Sequence, residues 1–240
     1  MIEDVPLKEL ERLLAKVDIL EPLPPQEVER LASLSYSVHL EAGEGFALDE
    51  DRETLRETLL LLARGRVRVH EPSAGGQDLT ISMVEEGTVV GQSGFAVRLS
   101  RALRVEALQP SILLILGWED FEELVFRNPE VGVKTIRLLS ERLARSEGRL
   151  SDLIRKEVPA RLAGLILGLS EHEGVVMGEG RSRISTRYTH QQLASMVGSN
   201  REAVTRAFGK LRKAGAVEIR DRHIYVTDAD ELERYADARP

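Results

Sequence analysis

The chain has 240 residues, of which 42% are hydrophobic and 30% are charged, and its formal net charge is −7. This composition excludes a disordered chain, because it supplies enough apolar surface for a core, and the length predicts two domains. The chain contains no cysteine, which excludes disulfides, thiol catalysis, cysteine-bound zinc and iron–sulfur clusters.

The pattern of the first residues predicts neither a secretory signal nor a membrane anchor. Its first residues, MIEDVPLKELERLL, are acidic and amphipathic, whereas a secretory signal is basic and then continuously apolar. No apolar run in the chain approaches the roughly 18 residues that a membrane-spanning helix needs. The sequence therefore predicts a cytoplasmic protein with no membrane partner.

The first half of the chain changes from helical to β-type patterning. Residues 7 to 34 have apolar side chains at helical spacings, interrupted by LEPLPP, and predict two short helices. From about residue 37 to residue 118, short apolar runs alternate with glycines, as in RGRVRVHE, where valines alternate with arginines. This pattern predicts about eight strands in a small all-β roll or barrel.

A long helix is predicted after the strands. A short helix over EDFEELVFRN precedes it, and the long helix runs from about Pro129 to about Glu157. Its apolar residues repeat at alternating intervals of three and four, with Ser146 as the one polar member. This pattern predicts a parallel coiled coil that dimerises the chain, whereas a helix packed on its own domain would show a wider apolar face. The predicted dimerisation residues are Ile136, Leu139, Leu143, Leu150 and Leu153.

Pro159 follows the long helix and interrupts helical hydrogen bonding. It predicts a hinge before the last domain. Positive charge is concentrated in that domain: between Arg181 and His223 there are ten cations and three carboxylates, a local net charge of +7, so the rest of the chain carries −14. Such asymmetry predicts a phosphate-facing surface on a body that otherwise repels polyanions.

The last domain begins with a predicted helix over VPARLAGLILGLSEHEG and then a loop. The segment THQQLASMVGSNREAVTRAFGKLRK follows and predicts two helices joined by a glycine turn. Thr189 and Gln192 have the spacing of a capping box, and this first helix ends at Gly198. The second helix starts after the capping pair Ser199 and Asn200. This arrangement predicts a helix-turn-helix, and the hairpin AVEIRDRHIYV behind it predicts a wing.

The candidates for base reading share one exposed side of the second helix. They are Arg201, Glu202, Thr205 and Arg206. In a helix that enters the major groove with its N-terminal end, arginine pairs with guanine O6 and N7 and glutamate accepts from the cytosine amino group. The alternative is that Glu202 and Arg206 form an ordinary i, i+4 ion pair on a solvated face. Arg220 and Arg222, at the hairpin tip, are predicted to contact phosphates.

Together the roll, the heptad helix, the proline break and MVGSNREAVTR resemble the Crp–Fnr superfamily, from about Leu20 to Val226. The resemblance implies an α+β fold with an N-terminal cyclic-nucleotide-binding-type β-roll (jelly-roll-like), a long dimerisation helix and a C-terminal winged helix-turn-helix. The corresponding predicted domains are residues 1–129, 130–157 and 158–240.

The resemblance also implies a function. It predicts a sequence-specific transcription regulator, a homodimer that binds an inverted repeat with TGTGA-like half-sites in double-stranded DNA and works with RNA polymerase. It assigns base reading to Arg201, Glu202 and Arg206. The complete set of predicted DNA-binding residues is Thr189, Gln191, Ser199, Asn200, Arg201, Glu202, Thr205, Arg206, Arg220 and Arg222.

The segment EGTVVGQSGFAVRLSRALRVEAL resembles the phosphate-binding cassette of the same family, in which a helix N-terminus and an arginine bind the cyclic phosphate. Gly91, Ser93 and Arg101 fit that pattern. Gln92 stands where cyclic-nucleotide binders have a ribose-binding glutamate, and Ala102 stands where they have a hydroxyl residue. Because charge-assisted hydrogen bonds are about twice as strong as neutral ones, these departures argue against cyclic AMP.

Three alternatives remain for the effector: cyclic AMP, a different small ligand, or activity without any effector, in which case Arg101 is an ordinary surface cation. The resemblance places Ser146 near the ligand. Haem would need an axial ligand, for which His39, His70 and Met83 are the candidates. Each is a lone residue in a strand pattern, where an ordinary half-exposed side chain is expected. The sequence therefore assigns no cofactor.

An enzyme is the alternative from another class. A cupin-like metal site needs clustered histidines with a carboxylate, but His39 and His70 stand apart with no H-x-H spacing. The remaining histidines, at positions 172, 190 and 223, have no partner constellation for catalysis. The sequence therefore predicts no enzyme. A non-enzymatic ligand-binding dimer is a further alternative. An inert structural dimer is another, and the +7 region argues against it.

Overall fold

The computed structural model describes residues 2–3, 5–47, 58–73, 78–92, 103–178 and 181–238. The chain divides into two compact units. The first consists of Met1–Pro72 with Ile81–Arg142, and the second consists of Ser73–Thr80 with Leu143–Pro240. None of the described helices is long enough and apolar enough to cross a membrane.

Two short helices lie at the start of the first unit. Helix α1 spans Leu7–Leu14, a 3-10 turn spans Asp18–Leu20, and α2 spans Pro25–Leu34. Pro25 lies in the first turn of α2, where its missing N–H removes no intrahelical hydrogen bond. The apolar sides of both helices, including the fully buried Leu14, pack into one core cluster with a β-sheet.

Nine described strands build the two sheets of the roll. They are β1 (Ile2–Glu3), β2 (Tyr36–Leu40), β3 (Gly45–Ala47), β4 (Thr58–Arg64), β5 (Arg66–Glu71), β6 (Leu79–Glu85), β7 (Thr88–Gln92), β8 (Arg104–Ala107) and β9 (Ser111–Gly117). One sheet has the order β1-β2-β9-β4-β7 and the other the order β3-β8-β5-β6. The two-residue β1 accounts for the difference from the predicted eight.

Strand β4 explains how two cores share one sheet. Successive side chains of a strand point to opposite faces, so Leu60 and Leu62 belong to the interior of the roll. Leu59 and Leu61 belong to the other cluster, beneath α1 and α2. Because both faces are buried, the strand is a continuous leucine run rather than an alternating one.

Strand β5 differs from its expected alternation, because its polar face is buried too. Arg66, Arg68 and His70 are only 8%, 7% and 5% exposed. The Nη2 of Arg66 donates to Glu85 at 3.0 Å, and the Nη2 of Arg68 donates to Glu106 at 2.6 Å. Glu106 also lies 3.7 Å from the His70 ring. His70 is therefore not the half-exposed side chain expected, and ion pairing offsets the desolvation of the arginines.

Two helices follow the roll. Helix α3 spans Trp118–Arg127, and α4 spans Pro129–Arg155, ending two residues before the predicted position. The N-terminal part of α4 packs on the first core through Val131 and Leu138. Its heptad residues lie on another side and are exposed.

The second unit combines helices with a small sheet. Its elements are α5 (Val158–Glu173), β10 (Gly174–Gly178), β11 (Arg181–Ile184), α6 (His190–Met196), α7 (Arg201–Lys213), β12 (Val217–Arg220), β13 (His223–Val226) and α8 (Ala229–Asp237). The sheet order is β10-β11-β13-β12.

The prediction of a loop between α5 and the helix-turn-helix is wrong. Strands β10 and β11 form a hairpin there, and β11 pairs with β13, with Ser182 opposite Val226. Most side chains of β10 are exposed, including Val176, so the segment lacks the buried alternation that marks a strand in a sequence. Helix α8 was not predicted either, and it packs against α5.

The turn between β4 and β5 provides a test of this fold. Gly65 has φ +95, and a Cβ there would lie 2.3 Å from Ser111 Oγ and 2.6 Å from the Pro110 carbonyl oxygen. Gly43 has φ +88 with nothing within 4 Å of its added Cβ. We expect Gly43→Ala to lower the free energy of unfolding by about 1 kcal/mol through its left-handed backbone alone, and Gly65→Ala to lower it by about 3 kcal/mol through added overpacking.

The measurement is urea unfolding followed by the fluorescence of Trp118, the one tryptophan of the chain. Trp118 packs on the same core as strand β4, so it reports on the unit that contains both glycines. Equal losses for the two variants would contradict the crowding described for Gly65.

Candidate nucleic-acid interface

The helix-turn-helix is held by side-chain caps at both helix starts. The Gln192 N–H donates to Thr189 Oγ1 at 3.1 Å, and the Thr189 N–H donates to Gln192 Oε1 at 2.9 Å, so the predicted capping box is present. At α7, the Ala203 N–H donates to Asn200 Oδ1 at 2.8 Å. These bonds satisfy backbone N–H groups that have no intrahelical partner.

The turn between α6 and α7 depends on a glycine. Gly198 has φ +62, a left-handed conformation that side chains with a Cβ rarely adopt. A Cβ at this position would also lie 2.8 Å from Leu153 Cδ2. Both the backbone and the packing therefore require glycine at the point where the chain turns into α7.

One side of α7 is buried, and this fixes what the other side presents. Val204, Phe208 and Leu211 are inside the second unit. The predicted base-reading residues all lie on the exposed side of the helix. They are Arg201, Glu202, Thr205 and Arg206.

The cations of α7 differ in whether the helix dipole accounts for their positions. Lys210, Arg212 and Lys213 lie in the last turn, where cations are stabilised by the helix dipole. Arg201 is the first residue of the helix, where the same dipole disfavours a cation. Helix stability therefore does not explain why an arginine occupies this position. Glu202 forms no ion pair with Arg206, and both residues lie in the segment 181–238, which the structure describes in full.

The predicted phosphate contacts lie at several places in the second unit. Thr189 and Asn200 are the N-caps of α6 and α7, and Gln191 lies half-buried in the first turn of α6. The Ser199 N–H donates to the Ala194 carbonyl at 2.9 Å. Arg220 and Arg222 lie instead on the β12–β13 hairpin.

This hairpin, the wing, has a tight turn made by Asp221 and Arg222, with φ 50 and φ 64. Two consecutive left-handed residues are typical of a type I′ turn, which matches the twist of the flanking strands. Arg220 forms an ion pair with Glu218 and lies 6.0 Å from the centre of the Tyr225 ring. Arg222 is exposed at the tip.

Glu173 is a site residue that the sequence did not reveal. It is the last residue of α5, and its Oε1 accepts from the Tyr188 hydroxyl at 2.7 Å. Its Oε2 accepts from the Thr186 N–H at 3.1 Å and from the Thr186 hydroxyl. The carboxylate thus ties down the segment that leads into α6. Its partners are 13 and 15 residues away in a segment predicted as a loop, so no sequence spacing marks the contact.

His190, the first residue of α6, is the second such residue. Its ring stacks on Phe208 at 5.1 Å between centroids and 7° between planes, and its Nδ1 lies 2.9 Å from Thr205 Oγ1. Burial, and then the nearby Arg201 cation, lower the pKa of His190 below its usual value. This shift favours the neutral form of the ring.

The structure describes only part of the predicted effector pocket. Gly91 lies in β7 opposite Leu60, and Gln92 lies opposite Leu59. Ser93, Arg101 and Ala102 lie outside the described residues. Ser146 is on the exposed surface of α4. Within the described part of the chain, no group of three His, Asp or Glu side chains is close enough to hold a metal ion.

Comparison with known proteins gives a family match for the second unit. Residues 160–235 match the Crp-like helix-turn-helix domain. A cyclic AMP receptor protein from Thermus thermophilus is 29% identical over 182 residues, which are 76% of this chain and 81% of that protein. A CRP-like cAMP-activated global transcriptional regulator from Mycobacterium tuberculosis is 22% identical over 228 residues, 95% of this chain and 100% of that protein.

The fold is shared as well. The crystal structure of a transcriptional regulator of the Crp/Fnr family from Eubacterium rectale aligns with a TM-score of 0.71 over 93% of this chain and 99% of that chain, at 19% identity. At this identity the likeness shows the fold alone, and it confirms the predicted fold class. The similarities are to transcription regulators rather than to enzymes.

The role of Glu173 can be tested by removing its charge. Glu173→Gln replaces a charged acceptor by a neutral one, and charge-assisted hydrogen bonds are about twice as strong as neutral ones. We expect amide hydrogen exchange in residues 186–196 to become about tenfold faster, a loss of roughly 1.4 kcal/mol. Glu171→Gln, on the exposed surface of the same helix, is the control. Unchanged exchange in the Glu173 variant would show that the carboxylate does not hold this segment.

Proposed function

We propose that the chain is a DNA-binding transcription regulator of the Crp/Fnr type that binds an inverted repeat in double-stranded DNA as a homodimer, and its similarity to the Crp-like helix-turn-helix domain and to such regulators supports this. The proposed half-sites are TGTGA-like, one for each α7 helix. The observation that carries the proposal is the exposed side of α7, where Arg201 and Arg206 form no ion pair with any residue that the structure describes, while the opposite side of the helix is buried.

Base reading by α7 follows from the chemistry of its exposed residues. The guanidinium groups of Arg201 and Arg206 each offer two parallel donors that match guanine O6 and N7. Glu202 accepts from a cytosine amino group, which explains a carboxylate on a surface that otherwise suits phosphates. The proposed phosphate contacts are Thr189, Gln191, Ser199, Asn200, Arg220 and Arg222. Arg220 must exchange its ion pair with Glu218 for a phosphate.

The exposed heptad side of α4 supports the homodimer. Its five apolar members are between 43% and 64% exposed, although water disfavours a contiguous apolar stripe. Val131 and Leu138 already pack α4 on the core of the same chain. The attachment of α4 to that core therefore does not require the apolar stripe. A second α4 helix would bury it by knobs-into-holes packing. The stripe consists of Ile136, Leu139, Leu143, Leu150 and Leu153.

An effector in the roll would act on this same helix. The Nη2 of Arg142, on α4, donates to the Val89 carbonyl and lies 3.4 Å from Thr88 Oγ1. Strand β7 therefore links Gly91 and Gln92 to α4. We propose that pocket occupancy shifts the packing of paired α4 helices, and that the replacements Gln92 and Ala102 favour a ligand other than cyclic AMP or none. RNA polymerase is the proposed protein partner of such a regulator.

The first test is selection of bound sequences from a random DNA pool, with and without cyclic nucleotides. We expect a dyad-symmetric motif whose half-sites are separated by about 34 Å, one turn of DNA. Arg201→Ala should relax the preference at one base pair of each half-site, at a cost of about 1–3 kcal/mol. Lys213→Ala, in the last turn of α7, should weaken binding without changing the motif.

A motif unchanged by Arg201→Ala would contradict the assignment of base reading to Arg201. A wild-type protein that selects no motif at all would contradict the proposed function. Dependence of the selection on a cyclic nucleotide would show that Gln92 and Ala102 do not abolish cyclic-nucleotide binding.

The dimer is tested by sedimentation at micromolar concentration. Leu143→Lys places a charge in the middle of the proposed seam, and we expect it to convert dimers into monomers because a buried unpaired charge is strongly disfavoured. Ile154→Lys is the matched control, since Ile154 is 85% exposed on the same helix but lies beside the seam. The proposal fails if the wild-type chain is monomeric, or if Leu143→Lys remains a dimer.

A further inference from the structure

The hydroxyl group of Thr205 lies between two protein groups on the exposed side of α7. It donates to the Arg201 carbonyl oxygen at 2.8 Å, one helical turn earlier. The Nδ1 of His190 lies 2.9 Å from the same hydroxyl oxygen. A threonine hydroxyl has one hydrogen and two lone pairs. Because the hydrogen is used on Arg201, His190 must donate from Nδ1.

This arrangement fixes the tautomer of His190. A neutral imidazole carries its hydrogen on one nitrogen only, and here that nitrogen is Nδ1. The stacking of the ring on Phe208, a buried residue of α7, holds the ring in the plane that this bond needs. The contact therefore connects the first residue of α6 to the exposed side of α7.

The consequence concerns what Thr205 can offer to a base. With its hydrogen used on Arg201 and one lone pair used on His190, the hydroxyl retains a single lone pair. It can accept a hydrogen bond from a base but cannot donate one. In the major groove the donors are the amino groups of adenine and cytosine, whereas guanine and thymine present acceptors at their corresponding positions.

We propose that His190 is a positioning residue of the DNA interface, which holds the Thr205 hydroxyl as an acceptor and so makes the chain prefer adenine or cytosine over guanine or thymine at the base that Thr205 meets. This inference rests on the proposed function, because it concerns one base position within the proposed operator. It assigns a role in base specificity to His190, which is not among the residues that the sequence predicts to contact DNA.

The contact is also insensitive to the charge of the ring. Arg201 faces His190 from α7, and Arg212 and Glu218 line the cavity of about 140 Å³ that His190 borders together with Thr205 and Phe208. Protonation adds a hydrogen at Nε2 and leaves the Nδ1–H in place. The base preference set by Thr205 should therefore be the same on both sides of the His190 titration, even if total affinity changes with pH.

Four variants separate the hydrogen bond from the packing. His190→Phe keeps a ring that can stack on Phe208 and removes the donor. His190→Asn restores a donor two bonds beyond Cβ, the same distance along the side chain as Nδ1, whereas the amide nitrogen of His190→Gln lies three bonds beyond Cβ. Thr205→Val removes the hydroxyl but keeps the shape.

A control histidine is present in the same unit. His172 is exposed on α5, and its Nδ1 lies 2.7 Å from the Gly168 carbonyl oxygen. His172→Phe therefore removes an imidazole without touching α7.

The experiment selects an operator with the wild-type chain and with Thr205→Val, which locates the base position that depends on the hydroxyl. Competition binding with the four bases at that position then compares the variants. We expect the wild type, His190→Asn and His172→Phe to prefer adenine or cytosine by roughly three- to tenfold, the effect of one hydrogen bond. His190→Phe and His190→Gln should lose this preference, and the wild-type preference should be equal at pH 5.5 and pH 8.

Several results would overturn the inference. They are a preference for guanine or thymine at the located position, no position that depends on Thr205, or a full preference in both His190→Phe and His190→Gln. Nitrogen-15 shifts of the His190 ring that show the Nε2–H tautomer would also overturn it, and they need no DNA. If the wild-type chain selects an operator and Arg201→Ala alters it, any of these results refutes the role of His190 alone. If the wild-type chain selects none, the proposed function fails first.

Discussion

The burial of one side of α7 is the constraint on which the proposed interface depends. Val204, Phe208 and Leu211 occupy the core of the second unit, and a helix has one fixed angular relation between its residues. Once these three are inside, the rotation of the helix about its axis is set. The residues at positions 201, 202, 205 and 206 must then face outward. The proposed base reading therefore depends on hydrophobic packing on the opposite side of the same helix.

The local features of this interface could be predicted from the sequence because their causes are local. The caps at Thr189 and Asn200 need only a suitable side chain three residues from a free N–H group. The turn at Gly198 needs a residue that tolerates positive φ. The exposed apolar stripe of α4 follows from the three- and four-residue intervals between its apolar residues. For the same reason the α+β order of roll, long helix and helix-turn-helix could be read from the residue pattern before any contact was known.

The features that were missed have their causes in tertiary contacts. Strands β10 and β11 form a hairpin because β13 supplies an edge with which β11 pairs. Their short, exposed sequences show no hydrophobic periodicity that would predict strands. Arg68 looks like the polar member of an alternating strand, yet it is buried because Glu106 pairs with it from β8. His190 and Thr205 are 15 residues apart on different helices. No pattern within either helix identifies that pair.

The charge distribution adds a further argument about specificity. Non-specific DNA binding is almost entirely electrostatic, so it grows with the number of phosphates that a protein neutralises. Here the basic segment carries +7 while the rest of the chain carries −14, and Arg220 is paired with Glu218 even within the wing. The acidic remainder reduces long-range attraction to DNA of any sequence. A larger share of the binding free energy must then come from short-range contacts at base edges. Under that condition we expect the orientation of a single hydroxyl, such as that of Thr205, to have a measurable effect on which sequence is bound.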